Sequence, residues 1–157
     1  MKKLFLAAAL FSFVLDRVTK FLAVKFLYGK SVTVIPHFFS LRYAENPGAA
    51  FSILSSGNEI LRKLFLIVIP ILIVVVILYY GLFKETKDKL NITGLGLILG
   101  GAVGNLYDRI LHGKVIDFFD FYIGNYHYPT FNVADTCVFL GCLLLVLHHY
   151  LGKKMES

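Results

Sequence analysis

The chain has 157 residues, the usual length of one domain, with 57% hydrophobic and only 17% charged residues. Soluble domains carry about 25% charged residues, and the mean hydropathy of +0.72 is typical of a membrane protein. This composition excludes a disordered chain, a soluble coiled coil and an ordinary cytosolic enzyme. The formal net charge of +6 does not indicate nucleic-acid binding, because the basic residues mostly flank apolar runs, as membrane topology requires.

Four apolar segments predict four membrane-spanning helices, at residues 4–27, 64–83, 92–110 and 134–151. The first segment begins as a signal peptide does, with basic residues and then an apolar core. Its apolar core is followed by charged residues, however, and not by the small-x-small cleavage site of a signal peptide. We therefore expect it to stay uncleaved and to form a helix about 36 Å long, enough to cross a bilayer. Pro70 lies inside the second segment, where a membrane helix tolerates the kink that proline causes.

Small residues inside the last two segments are interpreted as packing residues. Gly96, Gly100 and Gly104 recur at intervals of four, which predicts a face for close helix packing. Cys137 and Cys142 are five apart, so on one helix they would point about 140° apart and could not pair. They have no ligand partners nearby in the sequence, so we expect neither a disulfide nor a metal site.

The distribution of basic residues predicts the orientation of the chain. An even number of spans places both termini on one side, and cytoplasmic segments are enriched in Lys and Arg. The termini and the loop at 84–91 carry seven such residues: Lys2, Lys3, Lys84, Lys87, Lys89, Lys153 and Lys154. This predicts cytoplasmic termini and two outer loops, at 28–60 and 112–132, although the first loop also carries Lys30, Arg42, Arg62 and Lys63.

The first outer loop carries a strand pattern. Val32, Val34, Phe39, Leu41 and Tyr43 recur with period two, and a proline interrupts the run. The loop is therefore predicted to contain two short strands or a bent hairpin that rests on the membrane.

Charged and amide residues inside apolar segments predict function, because a charge in the bilayer costs several kcal/mol. Asp16 and Lys20 are four apart and can form an ion pair on one helix face. That pair alone would lower the cost of burial without any chemistry. Asn105, Asp108 and Arg109 lie at the outer end of the third segment, with spacings that let all three face one site.

Two acids flank the second outer loop. Asp117 follows the third segment and Asp135 opens the fourth, each among aromatic and aliphatic residues that raise a carboxyl pKa by desolvation. If the two meet, one holds a proton while the other is ionised, as an aspartic protease dyad requires. Asn132 is three residues before Asp135 and could orient a carboxylate. The alternative is that Asp135 caps the fourth helix and Asp117 is a loop carboxylate.

Five ordered motifs resemble those of the lipoprotein signal peptidases, the bacterial signal peptidase II family, over the whole chain from Asp16 to the end of the fourth segment. They are Asp16-Arg17-Val18-Thr19-Lys20, Asn46-Pro47-Gly48-Ala49-Ala50-Phe51-Ser52, Gly104-Asn105-Leu106-Tyr107-Asp108-Arg109, Val115-Ile116-Asp117-Phe118 and Tyr128-Pro129-Thr130-Phe131-Asn132-Val133-Ala134-Asp135. One departure is Arg17, where the family commonly has Gln. Arg17 is expected either to extend outward or to join the ion pair with Lys20. Asp120 is interpreted as structural.

The resemblance implies an all-α membrane protein of four transmembrane helices with a small extracytoplasmic β-cradle in the first outer loop. It implies an aspartic endopeptidase that removes signal peptides from prolipoproteins, cutting before a cysteine that carries a diacylglyceryl group. The implied catalytic residues are Asp117 and Asp135, and the implied supporting residues are Asp16, Lys20, Asn46, Asn105, Arg109 and Asn132. No metal or other cofactor is expected. The expected setting is a monomer in the bacterial inner membrane, with its site at the outer face and globomycin as an inhibitor.

Two other functions fit a small polytopic membrane protein. A proton-coupled transporter also uses acids inside the membrane, but it predicts acids spread through the membrane depth and internal repeats. Here Asp108, Asp117 and Asp135 cluster at one face, and no repeat is evident. A non-catalytic scaffold would not explain why Asn105, Arg109, Asn132 and two acids are expected at one site.

Overall fold

The computed structural model describes residues 1–48, 59–84 and 88–156. Residues 49–52 of the second motif and Lys87 of the predicted cytoplasmic loop lie outside the described residues. The elements, in chain order, are α1 Lys2–Leu27, β1 Ser31–Ile35, β2 Phe39–Asn46, α2 Glu59–Lys63, a π-helical segment Leu64–Val68, α3 Ile69–Phe83, α4 Lys89–His112, β3 Val115–Ile123, β4 Tyr126–His127 and α5 Val133–Glu156.

Three stretches of helix in the described part of the chain are long and apolar enough to cross a membrane. They are Leu64–Phe83, Lys89–His112 and Val133–Tyr150, which correspond to the second, third and fourth predicted spans. The first predicted span coincides with α1, a continuous helix of 26 residues. Asp16, Arg17 and Lys20 interrupt the apolar stretch of α1. With these charges, α1 is not one of the three helices that are apolar enough to cross a membrane.

The proline of the second span follows an irregular turn of helix. Pro70 lies at the start of α3, directly after the π-helical segment Leu64–Val68. The backbone N–H of Ile69 donates to the carbonyl oxygen of Leu64, five residues earlier. A proline has no N–H and its ring collides with the carbonyl four residues before it. The wider turn is a local adjustment by which a helix accommodates these constraints.

The glycines of α4 let two helices approach it closely. A Cβ atom on Gly96 would lie 2.7 Å from Ala8 Cβ of α1, and one on Gly100 would run into the backbone oxygen of Ala9. On another face, a Cβ atom on Gly101 would run into the backbone oxygen of Ala134 in α5. The predicted packing face is confirmed, and α4 lies between α1 and α5.

Four antiparallel strands form one sheet in the order β1-β2-β3-β4. The two strands predicted in the first outer loop are confirmed as β1 and β2. The sheet is not confined to that loop, however, because β3 and β4 come from the second outer loop, where no strand was predicted. β3 escaped detection because apolar residues lie on both of its faces, so its sequence does not alternate with period two.

The strand register and the packing of Phe118 place β3 against one end of the helical bundle. A β-bulge sets Arg42 and Tyr43 of β2 opposite Phe118 alone, since Leu41 pairs with Phe119 and Ala44 with Asp117. The buried Phe118 belongs to an apolar cluster with Ala23 and Leu27 of α1 and with Val133 and Cys137 of α5. This cluster holds the strand against the C-terminal end of α1 and the N-terminal end of α5.

Candidate active site

The start of α5 is built by two side chains that cap it reciprocally. Asn132 Oδ1 accepts from the backbone N–H of Asp135 at 3.0 Å, and Asp135 Oδ2 accepts from the backbone N–H of Asn132 at 3.2 Å. This is the arrangement of a capping box. The alternative interpretation, that Asp135 itself caps the helix, holds only in part, because Asn132 is the N-cap residue and Asp135 bonds back to it from the third helical position. The other oxygen of Asp135, Oδ1, bonds to Asn105.

Asp117 lies on β3 and is almost completely buried. Its Oδ1 accepts from Asn132 Nδ2 at 2.7 Å, and its Oδ2 accepts from Asn46 Nδ2 at 3.1 Å. Burial raises the pKa of Asp117 to about 6, helped by the charge of Asp135, while the hydrogen bonds from Asn46 and Asn132 act in the opposite direction. The raised pKa expected for this carboxyl is thus present.

Asn105 of α4 connects the second carboxylate to the first. Its Nδ2 donates to Asp135 Oδ1 at 2.8 Å, while its Oδ1 accepts from Asn132 Nδ2 at 3.2 Å. Because Asn132 Nδ2 also donates to Asp117, the two amides form a continuous hydrogen-bonded link between the carboxyl groups. Asp117 and Asp135, which are 18 positions apart in the sequence, are therefore parts of one network.

A buried ionic cluster lies behind Asn105. Lys20 Nζ donates to Asn105 Oδ1 at 2.8 Å and lies 3.0 Å from Asp16 Oδ2 and 2.8 Å from Asp108 Oδ2. Arg17 contributes a second cation, with Nη1 2.6 Å from Asp108 Oδ1 and Nη2 3.5 Å from Asp16 Oδ2. The cluster holds two cations and two anions, so the charges that enter the apolar bundle compensate one another.

These contacts resolve two expectations from the sequence. The ion pair between Asp16 and Lys20 is confirmed, and Arg17 joins it through both acids rather than extending outward. The expectation that Asn105, Asp108 and Arg109 face one site is wrong for Asp108. That carboxylate faces α1, because consecutive helical positions point about 100° apart and the cations of α1 attract it.

Asp16 also fastens α5 to α1. Its Oδ1 accepts from the backbone N–H of Ala134 at 3.1 Å, in the first turn of α5. The first N–H groups of a helix have no partner within the helix, so a carboxylate from another element can satisfy one of them. Gly104 provides room for this carboxylate, since a Cβ atom there would lie 2.5 Å from Asp16 Oδ2.

The network borders a cavity of about 370 Å³, here called the main cavity. Five of the eight predicted site residues line it: Asn46, Asn105, Arg109, Asp117 and Asp135. Asn132 and Lys20 lie behind its wall, each bonded to Asn105, and Asp16 lies one contact further away, beside Lys20. Arg109 Nη2 donates at 3.4 Å to the carbonyl oxygen of Gly48, which lies two residues after the end of β2.

Other residues of the main cavity were not selected from the sequence as site residues. They are Val115, Tyr128, Pro129, Thr130, Phe131, Thr136 and Phe139. The fifth motif already contained four of these, Tyr128 to Phe131, so the motif itself was the available signal. Phe139 carries no such signal, because an aromatic residue in an apolar helix is typical of any membrane span.

Asp120 is another buried acid near the site, and it bonds within the sheet. Its Oδ2 accepts from Ser40 Oγ at 3.0 Å, and its Oδ1 lies 2.8 Å from His127 Nδ1. Asp120 does not line the main cavity. Within the described ranges, no three His, Cys, Asp or Glu side chains are grouped to hold a metal ion, and Cys137 and Cys142 are both free thiols.

Comparison with known proteins identifies the family. Residues 8–151 match the family model described as signal peptidase (SPase) II. The lipoprotein signal peptidase of Maridesulfovibrio salexigens is 45% identical over 157 residues, which cover 98% of this chain and 100% of that protein. The lipoprotein signal peptidase of Syntrophus aciditrophicus is 42% identical over 155 residues, 98% of this chain and 96% of that protein.

Solved structures agree with the sequence comparison. One bacterial membrane enzyme superposes with a TM-score of 0.83 at 30% identity, over 98% of this chain and 91% of that chain. A second superposes with a TM-score of 0.77 at 33% identity, over 92% and 90%. The chain therefore belongs to the lipoprotein signal peptidase (signal peptidase II) family, whose members are aspartic-type peptidases of bacterial membranes.

Proposed function

We propose that this chain removes signal peptides from diacylglyceryl-modified prolipoproteins, cutting just before the lipidated cysteine, with Asp117 and Asp135 as its catalytic dyad. The observation that carries the proposal is the link between these two carboxyls through Asn105 and Asn132, on the wall of one cavity. Two carboxyls in one poorly solvated network share a proton, which is the state that peptide hydrolysis by an aspartic dyad requires.

The two carboxyls take different roles in this mechanism. Asp117, with its pKa raised to about 6, holds the shared proton. Asp135 lies at the N-terminus of α5, where its Oδ1 accepts from Asn105 and its Oδ2 accepts from the backbone N–H of Asn132, so it serves as the base. The Asp135 carboxylate takes a proton from water as that water attacks the scissile carbonyl, and Asp117 donates its proton to the carbonyl oxygen. In the second step Asp135 donates the proton it took from water to the leaving nitrogen, Asp117 takes a proton back from a hydroxyl of the tetrahedral intermediate, and the C–N bond breaks.

The supporting residues position this dyad. Asn105 and Asn132 orient the carboxyls, and Asn46 holds the second oxygen of Asp117. Lys20 fixes the amide orientation of Asn105: its ammonium must bond to the amide oxygen, so the NH₂ group turns to Asp135. Asp16 supports the same geometry by holding Lys20 and the first turn of α5. Arg109 lines the main cavity as a cation that can bind a substrate carbonyl.

The membrane setting follows from the same proposal. The four long helices span the inner membrane with both termini in the cytoplasm, and the sheet and main cavity lie at the outer face. Phe131 and Phe139 supply apolar walls to the main cavity, which suits a substrate whose acyl chains stay in the lipid. The protein acts as a monomer, and globomycin inhibits it by occupying the main cavity.

A cleavage assay in detergent tests the dyad. Purified protein is given a diacylglyceryl-modified prolipoprotein, with the unmodified precursor as the substrate control. We expect cleavage of the modified substrate alone, and a loss of at least about a hundredfold in Asp117→Asn and in Asp135→Asn, because the amide cannot exchange the proton.

Asp120→Asn is the matched control, because Asp120 is an equally buried acid on the same strand outside the main cavity. It should retain most of the activity. Comparable yields of monodisperse protein for all three variants would show that the losses are chemical. Cleavage at the wild-type rate by either dyad variant would refute the assignment, and globomycin binding by inactive wild-type protein would instead indicate a missing assay component.

A further inference from the structure

A second cavity, here called the sheet cavity, opens beside the main cavity and has a volume of about 410 Å³. The two cavities share four lining residues, namely Asn46, Tyr128, Pro129 and Thr130. Asn46 donates to Asp117 at 3.1 Å, so the sheet cavity begins at a residue in contact with the dyad. A polypeptide cleaved at the dyad can therefore extend into it.

The two cavities differ in chemistry. The main cavity reaches Phe139, six residues into α5 and so about 9 Å along the helix from its start. That end lies in the part of α5 apolar enough to cross a membrane. The sheet cavity is lined instead by polar side chains of the strands, among them Arg42, Glu45 and His127. The path across the dyad thus has an apolar end and a polar end.

We propose that the sheet cavity receives the first residues of the mature polypeptide, directly after the lipidated cysteine, and that Arg42 makes it favour an acidic side chain there. This inference rests on the proposed function. The signal peptide and the acyl chains are apolar and remain at the apolar end of the path, in the main cavity and the lipid. The mature polypeptide is released into water, so it extends from the polar end. Because the sheet cavity begins at Asn46, which donates to Asp117 at 3.1 Å, the residues that follow the cleavage site are the ones placed to enter it.

Charge in the sheet cavity supports the preference for an acid. The side chain of Arg42 is 47% exposed, and its Nε lies 3.5 Å from Asp120 Oδ2. Asp120 is buried beneath it, so an incoming chain meets the cation and not the anion. His127 also uses Nδ1 to contact Asp120 at 2.8 Å, which leaves Nε2 as the ring nitrogen that a ligand can reach.

The acid in the lining is already engaged. Glu45 Oε2 accepts from Lys114 Nζ at 2.6 Å, and Glu45 Oε1 accepts from Tyr43 Oη at 2.7 Å. Its charge is therefore compensated by a neighbouring cation. Arg42 is also paired, with Asp120, but Asp120 is buried and the Arg42 side chain is 47% exposed, so a substrate carboxylate can still reach its guanidinium.

A crossed comparison of variants and substrates tests this inference. Three diacylglyceryl-modified prolipoproteins differ only at the residue after the modified cysteine, which is Asp, Asn or Lys. For each substrate, kcat/KM is measured with wild-type protein, with Arg42→Glu and with Lys30→Glu. Lys30 is an exposed cation of the same outer region that does not line the sheet cavity, so it is the matched control. Arg42→Gln removes the charge without reversing it.

The wild-type protein should cleave the Asp substrate with a kcat/KM about three- to fivefold above that for the Lys substrate, mainly through KM, as an exposed ion pair allows. Arg42→Glu should reverse this order, Arg42→Gln should equalise the substrates, and Lys30→Glu should keep the wild-type order. An unchanged order in both Arg42 variants, or an equal change in Lys30→Glu, would overturn the proposal. Wild-type cleavage of the Asn substrate reports on the proposed function separately.

Discussion

At the scale of single residues, the surroundings of Asp117 set the pH range of the proposed reaction. Burial and the neighbouring Asp135 raise the pKa of this carboxyl to about 6, and the bonds from Asn46 and Asn132 limit that rise. The protonated form of Asp117 is the acid of the proposed mechanism. Above its pKa Asp117 is ionised, so it has no proton to donate to the substrate.

The kcat/KM of the wild-type enzyme should therefore fall as the pH rises above about 6, by about tenfold per pH unit. In Asn46→Ala this limb should move to higher pH, because a lost hydrogen bond to the carboxylate favours the protonated form. Initial rates measured across pH 4.5–8.5 locate this fall in kcat/KM for the wild-type enzyme and for Asn46→Ala. Asn125→Ala, an exposed amide in the turn between β3 and β4, is the control and should keep the wild-type limb. A shift to lower pH in Asn46→Ala would contradict the explanation.

At the scale of elements, the small residues of α4 decide how closely α1 and α5 approach, and so whether the network can form. Gly100 meets the backbone of α1 and Gly101 meets the backbone of α5. Lys20 on α1 and Asp135 on α5 both reach Asn105 on α4. An added side chain between these helices would separate groups whose contacts are shorter than 3 Å.

Gly100→Leu should accordingly reduce the amount of folded protein, because no side chain fits between α4 and the backbone of α1. The measurement is the yield of monodisperse protein after extraction, followed by its thermal stability in detergent. Ile110→Leu, at an exposed position of the same helix, should leave both unchanged. Normal yield and activity in Gly100→Leu would show that the glycine face is not required for packing.

The second element that matters is β3, and it shows the limit of periodicity as a signal. β1 and β2 could be predicted, because one face of each carries apolar residues at period two. β3 is covered on both faces, and its acids at 117 and 120 interrupt an otherwise apolar run. Its identity as a strand comes from pairing with β2, whose bulge sets the register that brings Asn46 to Asp117.

At the scale of the whole molecule, the proposed orientation places the sheet outside the cell and both termini inside. The basic residues of the termini and of the loop between α3 and α4 support this, since positively charged loops remain in the cytoplasm. The charges of α1 oppose insertion when that helix is considered alone. In the bundle they are compensated by Asp108 of α4, which is a feature of the assembled protein.

Cysteine labelling tests the orientation. In a background with Cys137→Ala and Cys142→Ala, Ser31→Cys places a thiol at the exposed start of β1, and Lys2→Cys places one at the N-terminus. A membrane-impermeant maleimide should label Ser31→Cys in intact spheroplasts and should label Lys2→Cys only after lysis. The reverse pattern would show that the positively charged segments lie outside and that the proposed topology is inverted.

The sequence by itself determined the membrane class, the helical segments, the first two strands, the ion pair of Asp16 with Lys20 and the motifs that indicate the family. These depend on hydrophobicity and on spacings within one element, which are local properties. Only the tertiary structure decided which acids share a cavity. Asp117, Asp120 and Asp108 are all buried acids near one end of the helical bundle, yet Asp117 alone among them lines the main cavity with Asp135. That selection depends on strand register and helix packing, which join residues such as Asn46 and Asp117 across 71 positions, and no local pattern encodes such a contact.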